Sequence, residues 1–410
     1  MKNYKVILAV IFSFAVSQAF GQNMEEKINS YQKKIDSTQQ TLNQLIANLK
    51  ELKLVKVQKD IQKYGIPKLE DGDTVINHTA MSLCYSEKHE QSKWVVHIIT
   101  PDIIYGGYGR TNDFREDSLV KTGTPVTKDY WYSGFDRGHL APSSDFRWNL
   151  KALSESYFYS NMSPQRPEFN REIWAELESA VRSYVYEKKE QVIVVTGGIL
   201  KDGLPKMGKV NKISIPEKFY KVVIDIEGDT TAGIGFIIPN EECDDPVMSY
   251  AVSIDEVEKQ TGIDFFSSLP DSLENKLEAS FDYKLWQTGH KKGNVLPIHR
   301  RKLPKNSYNT VQARSHYDEK GKVCGTVVSI HKSKKGNIFM NLDQKFPNQI
   351  FWCTIWKSNS FNFSYDVEKV LMYKKICVKG VIKEKYGNPS MSLQHEKQIS
   401  FYKDEMKKKK

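Results

Sequence analysis

The sequence predicts an α+β chain with a helical N-terminal segment, a mixed central domain and an all-β C-terminal segment. Three observations carry this. Apolar residues recur at alternating three- and four-residue steps between Ile28 and Leu52. Apolar β-branched runs and helical periods then mix through the centre without strict βαβ alternation. After residue 315 the texture changes to short strands separated by turns. A chain of 410 residues suits about two to three domains, and 39% hydrophobic content suffices for real cores.

Residues 1–21 read as a signal peptide. Lys2 and Lys5 give a positive end, Val6 to Phe20 is mainly apolar yet short for a membrane span, and Ala19 and Gly21 are small residues suited to cleavage after Gly21. The alternative is an uncleaved anchor. No cysteine follows the apolar run, so a lipid anchor is not supported. The expected destination is the periplasm or the extracellular space, with no membrane attachment of the mature chain. Residues 22–62 form the helical segment. Ile28, Tyr31, Ile35, Thr38, Leu42, Leu45, Leu49 and Leu52 mark a heptad seam. Two readings stand: a coiled coil that makes a homo-oligomer, or a helix that folds back on its own chain.

The central domain spans 66–290. Trp94 to Ile99, Gln191 to Val195 and Tyr220 to Ile224 read as buried strands, and helical periods sit at Glu172 to Tyr186 and Ser253 to Thr261. Its chemistry begins at Asp136-Arg137-Gly138-His139-Leu140-Ala141-Pro142. A histidine held between an arginine and a carboxylate can act as a general base near neutral pH. Standing alone, the tetrapeptide is equally well a turn with a satisfied ion pair. It is followed, however, by Ser160-Asn161-Met162-Ser163-Pro164-Gln165 and by a cluster opening at Asn170. Asn170 and Glu178, at i and i+8, share a helical face and suit a hard, hydrated cation such as Mg²⁺. Trp174 and Leu177 belong to the core. Base, metal ligand and arginines together point to hydrolysis of a phosphodiester.

These ordered motifs resemble the DNA/RNA non-specific endonuclease family, which includes secreted bacterial nucleases and mitochondrial endonuclease G. Weaker matches continue at Thr196-Gly197-Gly198, Ile215-Pro216, Ile238-Pro239-Asn240 and Thr261 to Phe266, so the resemblance covers roughly residues 66 to 290. It implies a ββα-metal (His-Me finger) site in an α+β fold, with His139 on a hairpin and Asn170 on the following helix. His139 matches the general base, Asn170 the single protein ligand to Mg²⁺ (Mn²⁺ as substitute), and Glu178 a residue that orients water around the metal. Arg137 matches a phosphate-contacting arginine. Arg110 is the choice for an upstream arginine that stabilises the transition state, since Arg115 sits less well in the pattern. Asn161 supports the site by hydrogen bonding, and Asp136 fixes the turn. The resemblance implies a secreted Mg²⁺-dependent endonuclease acting on DNA and RNA. The alternatives are a nucleic-acid-binding protein on an inactive nuclease scaffold and a phosphodiesterase acting on small nucleotides.

Residues 291–315 read as a basic linker. Residues 316–403 give five strand candidates: Val323 to His331, Asn337 to Leu342, Gln349 to Trp356, Lys375 to Lys383 and Ser390 to Ser400. A short helix is expected at Asp366 to Leu371, with turns at Lys334 to Asn337 and Tyr386 to Pro389. The pattern resembles a five-stranded OB-like β-barrel. Basic residues interleave with Phe339, Phe351, Trp352, Trp356 and Tyr386, a mixture suited to stacking on single strands, although several of these rings must be core instead. Residues 300 to 410 hold 24 Lys+Arg against 9 Asp+Glu, so the whole basic excess of the chain (+10) lies there. Residues 404–410 form a basic tail. No spacing among the five cysteines suggests zinc. A buried free thiol is a fair reading of Cys324, Cys353 and Cys377, and an exported chain permits one disulfide whose partners the spacing does not name.

Overall fold

The protein is described by a computed structural model covering residues 2–402, except 228–230, 244, 280, 287–293, 347–348 and 386–387, and the side chains of 2–23, 104–105 and 301. Lys291, Lys292, the Tyr386-Gly387 part of the second turn and the tail 404–410 lie outside the described residues. The chain divides into two units, residues 1–56 and 57–410.

The first unit belongs to one continuous helix, Lys2–Asp60. The expected leader falls within it. Ile28, Tyr31, Ile35, Leu42, Leu45, Leu49 and Leu52 are all exposed. Among the described residues no helix is long and apolar enough to cross a membrane.

The second unit begins in the last turn of that helix, earlier than the expected domain start at 66. Val57 and Ile61 are buried in its core, and Gln191 donates to the Asp60 carboxylate at 3.0 Å. Its centre is a seven-stranded antiparallel sheet in the order Val75–Asn77, Met81–Ser86, Gln91–Ile99, Val192–Gly198, Lys218–Asp225, Ala232–Pro239, Ala251–Val252. The middle strands are buried along almost their whole length because helices cover both faces. On one face Phe219, Lys221 and Asp225 meet the helix Trp174–Lys188: Phe219 and Lys221 reach Trp174, and Tyr184 donates to Asp225 at 2.7 Å. On the other face lie helices Ile254–Thr261 and Asp271–Ala279. Two glycines allow their close approach. A Cβ at Gly233 would sit 2.5 Å from the Leu277 carbonyl oxygen, and one at Gly235 2.6 Å from Val257. Ser253 caps the first of these helices by accepting from the Glu256 N–H, and Gly262, at φ +74°, ends it.

The C-terminal segment departs from the expected five strands. Its sheet has eight, ordered Lys383–Lys385, Asn388–Ser392, Phe351–Ile355, Ile338–Leu342, Lys320–Lys332, Lys375–Val381, Ile399–Phe401, with Tyr308–Asn309 pairing in parallel with the long strand. The candidates Lys375 to Lys383 and Ser390 to Ser400 are each broken. Buried Ile382 interrupts the first, and a 3₁₀ turn at Glu396–Gln398 the second. The linker expectation is also corrected. Within 291–315, Ile298, Val311 and Ala313 are buried, and the segment carries a strand and the 3₁₀ turn Gln312–His316, so it packs as part of the unit. Cys324 and Cys377, opposed on neighbouring strands, form a disulfide, which decides between the two readings at those positions, while Cys353 is a buried thiol.

Candidate active site

The strand Asp136–His139 pairs antiparallel with Met162–Gln165, bringing His139 opposite Met162 and Gly138 opposite Ser163. Glycine at 138 leaves room for the buried Gln165 side chain, which a Cβ there would meet at 2.1 Å and have to displace. Leaving the hairpin, the chain is tied down by Asn161. Its fully buried amide accepts from the Ala141 N–H at 2.9 Å and donates to the carbonyls of Ala141 and Ser156 at 2.9 and 2.8 Å. With both amide ends engaged, Asn161 fixes the backbone immediately after His139.

Asn170 lies not on a regular α-helix but in a π-helical turn, Phe169–Ile173, that feeds the helix Trp174–Lys188. Its amide nitrogen donates to Asp136 Oδ2 at 2.9 Å. Arg171 grips the same carboxylate with two bonds of 2.7 Å. Asp136 is therefore the hub that joins hairpin to turn. Odd spacing along a strand sends Asp136 and His139 to opposite faces, and the structure corrects the expectation that a carboxylate holds the histidine. His139 instead sits among rings, edge-on to Tyr157 at 4.9 Å and tilted to Phe114 at 5.8 Å. Its Nε2 is buried without a hydrogen-bond partner. Burial, together with Arg110 and Arg137, pushes the imidazole down to about 3, so it is neutral at physiological pH.

Arg137 stacks on Phe114, 3.8 Å from the ring centroid. Arg110 lines the same cleft. Arg115, by contrast, is engaged with Asp113 and the Ser154 carbonyl and stacks on Phe158. Arg147 donates to the Tyr108 carbonyl at 2.7 Å. Glu178 faces the cleft one helical stretch beyond Asn170. Burial raises its carboxyl, against the pull of Arg182 and Lys221. Behind it, Arg182 donates to Asp145 at 2.9 Å, and Asp145 also binds His97 Nε2 at 2.9 Å.

All seven sequence-derived site residues are thus placed. His139, Arg137, Arg110, Asn170, Glu178 and Asp136 line one open cleft of about 670 Å³, and Asn161 stands behind it. Three groups escaped sequence reasoning. Trp131 and Phe135 add aromatic surface to the cleft, and Arg171 anchors Asp136. From the C-terminal segment come Arg314, Tyr317 and Glu384, with Arg314 held by Asn388 Oδ1 at 2.8 Å. No motif marks Arg314; its only signal was lying in a basic stretch. The cleft can seat an anion between Arg110 and Arg137, beside a neutral imidazole and an amide oxygen, Asn170 Oδ1, that makes no hydrogen bond among the described residues.

Comparison with known proteins bears on this geometry. A family model described as DNA/RNA non-specific endonuclease matches residues 58–272. Mitochondrial endonuclease G of Homo sapiens is 31% identical over 224 residues, covering 51% of this chain and 74% of the relative. Nuclease C1 of Cunninghamella echinulata var. echinulata is 34% identical over 206 residues, covering 46% and 80%. A nuclease of Nostoc sp. is 33% identical over 214 residues, covering 49% and 76%. The hairpin, the π-helical turn and the helix carrying Glu178 all fall inside the matched range.

Proposed function

Because this chain belongs to the DNA/RNA non-specific endonuclease family and is a nuclease acting on phosphodiester bonds, we propose that it cleaves DNA and RNA internally, with His139 as general base and Mg²⁺ held by Asn170. The observation that carries this reading is the Asp136 hub. It fixes the Asn170 amide nitrogen and leaves Oδ1 for a cation in the cleft that holds the neutral imidazole. A single amide ligand suits Mg²⁺, which keeps most of its waters, and Mn²⁺ is a natural substitute.

Arg110 and Arg137 take the non-bridging oxygens of the scissile phosphate with forked donors. His139 accepts a proton from water as that water attacks phosphorus in line and the bond to the leaving oxygen breaks. When bound, the cation neutralises charge on the phosphate and the leaving oxygen. Glu178 orients water at the site. The two arginines that seat the phosphate also depress His139. An arriving phosphate offsets them, so the base strengthens when substrate is in place. These interactions go to phosphate, which carries no sequence information, and little sequence preference follows.

The C-terminal sheet is read as OB-like. Its support is a strand order in which the third and fifth principal strands run parallel, and Lys385 over the rings of Trp352 and Trp356 at 5.4 and 4.9 Å. Of the interleaved rings, Phe351 is core and Trp356 is 38% exposed. Export to the periplasm or beyond is supported by the Cys324–Cys377 disulfide and is tested by a mature N-terminus at Gln22 in the culture fluid or periplasm. The exposed heptad seam is read as pairing with a second copy.

The deciding experiment is degradation of plasmid DNA and structured RNA by the purified chain, with Mg²⁺ and with a chelator, beside His139→Ala. Loss of a positioned base costs about 10²–10⁴-fold in rate. Wild-type cleavage of both polymers with that loss in the variant is expected; undiminished activity of His139→Ala would overturn the base assignment.

A further inference from the structure

We propose that Asp255, Glu258 and Glu278 form a structural calcium site that ties helix Ile254–Thr261 to helix Asp271–Ala279, on the sheet face opposite the cleft. One ligand oxygen from each of the three lies within 4.8 Å of the others. That matches the spread of oxygens around Ca²⁺, whose bonds run about 2.3–2.6 Å. Among the described residues no other group of three or more such side chains is placed this way.

A second observation points to a ligand. Glu278 is only 7% exposed, and its buried Oε1 has no hydrogen-bond partner. Buried carboxylate oxygens are normally paired, because losing water without a replacement is costly. The Glu278 carboxylate stands within a group of its own charge. Asp264 and Glu274 stand close enough to add to the repulsion. The neighbouring cations are engaged at the rim: Lys68 pairs with Asp264 at 3.1 Å and Lys259 with Glu256 at 3.6 Å.

The geometry also holds the carboxylates together. The close approaches at Gly233 and Gly235 press both helices onto the sheet, so the acidic side chains cannot relax by the helices drifting apart. Glu258 is anchored further by the Phe265 N–H, which donates to its Oε1 at 2.7 Å. Asp255 is exposed and completes the site at the solvent edge. An all-carboxylate set without histidine or cysteine selects a hard cation. Side chains from two helices offer irregular geometry, which Ca²⁺ accepts and Mg²⁺ resists.

The test is thermal unfolding of the metal-free full chain with CaCl₂ alone. It compares wild type, Asn170→Ala and Glu278→Gln, the second to separate this site from the cleft. At about 100 times Kd, Ca²⁺ should raise the Tm by on the order of 5 °C in wild type and Asn170→Ala, and by nothing in Glu278→Gln. Titration calorimetry of Asn170→Ala should give one Ca²⁺ per chain. Asp255→Asn, at the exposed edge, should weaken binding about 10-fold and serves if Glu278→Gln does not fold. No Ca²⁺ response in wild type, or a full response in folded Glu278→Gln, would overturn the site and leave a shared proton as its occupant. An equal response to MgCl₂ would overturn the choice of calcium.

Discussion

Asp136 does more than its place in a turn suggests. One carboxylate accepts from Asn170 and twice from Arg171, so the orientation of the amide proposed to hold the cation depends on it. Outer partners of metal ligands are worth about 10–100-fold in affinity or activity when removed. Asp136→Asn should weaken Mg²⁺ activation by that amount while leaving nucleic-acid affinity in chelator nearly intact; an unchanged Mg²⁺ dependence would show that Asn170 orients itself. His139 yields a prediction about pH. Its folded value near 3 lies below the ordinary histidine value of about 6.5, so the unfolded chain binds the extra proton first. Its contribution to stability is present above about 6.5 and is lost as pH falls toward 3. In the folded metal-free chain its imidazole NMR resonances should not titrate between pH 5 and 7, and a short oligonucleotide should move their titration upward. A midpoint near 6.5 without ligand would contradict the aromatic, arginine-flanked setting. The residues of this site were legible in the sequence as motifs. What they touch was not, because a tetrapeptide carries no record of strand parity or of Arg171 reaching back to it.

At the level of elements, buried strands were readable as β-branched runs and the helix Ile254–Thr261 as a capped period, since both follow local rules. The π-helical turn was not. One extra residue in a turn leaves no mark in composition, yet it sets where Asn170 stands relative to Glu178. The disulfide pairing was equally hidden, since register decides it. By closing a 53-residue separation it contributes about 2–4 kcal/mol. The heptad seam was legible, but not its partner. Ile35 and Leu42 remain 61% and 48% exposed within one chain, an apolar stripe of the kind that associates. Sedimentation of the whole chain at micromolar concentration should give an oligomer, and Leu42→Lys with Leu45→Lys should return it to monomer. A monomeric wild type would rule out pairing through the seam.

For the whole molecule, the main departure from the sequence reading is that the linker and the β segment form a wall of the cleft. The charge imbalance toward residues 300–410 was visible, but which of those charges reach the cleft, Arg314 and Glu384, is a tertiary fact. Arg314 lines the cleft on a 3₁₀ turn packed beside the Asn170 turn, close enough to Glu178 to influence it. Removing one cation that neutralises a phosphate of a single strand lowers the slope of log K against log salt by about 0.7. Arg314→Gln should show that reduction for a labelled single-stranded oligonucleotide bound in chelator. An unchanged slope would make Arg314 a packing residue held by Asn388.

The cleft is lined from Arg110 to Glu384. Chains emerge from the ribosome N-terminus first, and folding follows that order. The hairpin with His139, and Asn170 after it, are therefore synthesised roughly 200 residues before the last of the cleft lining at Glu384. Until translation passes Glu384 part of the cleft lining does not yet exist, so the order of synthesis itself delays a complete cleft.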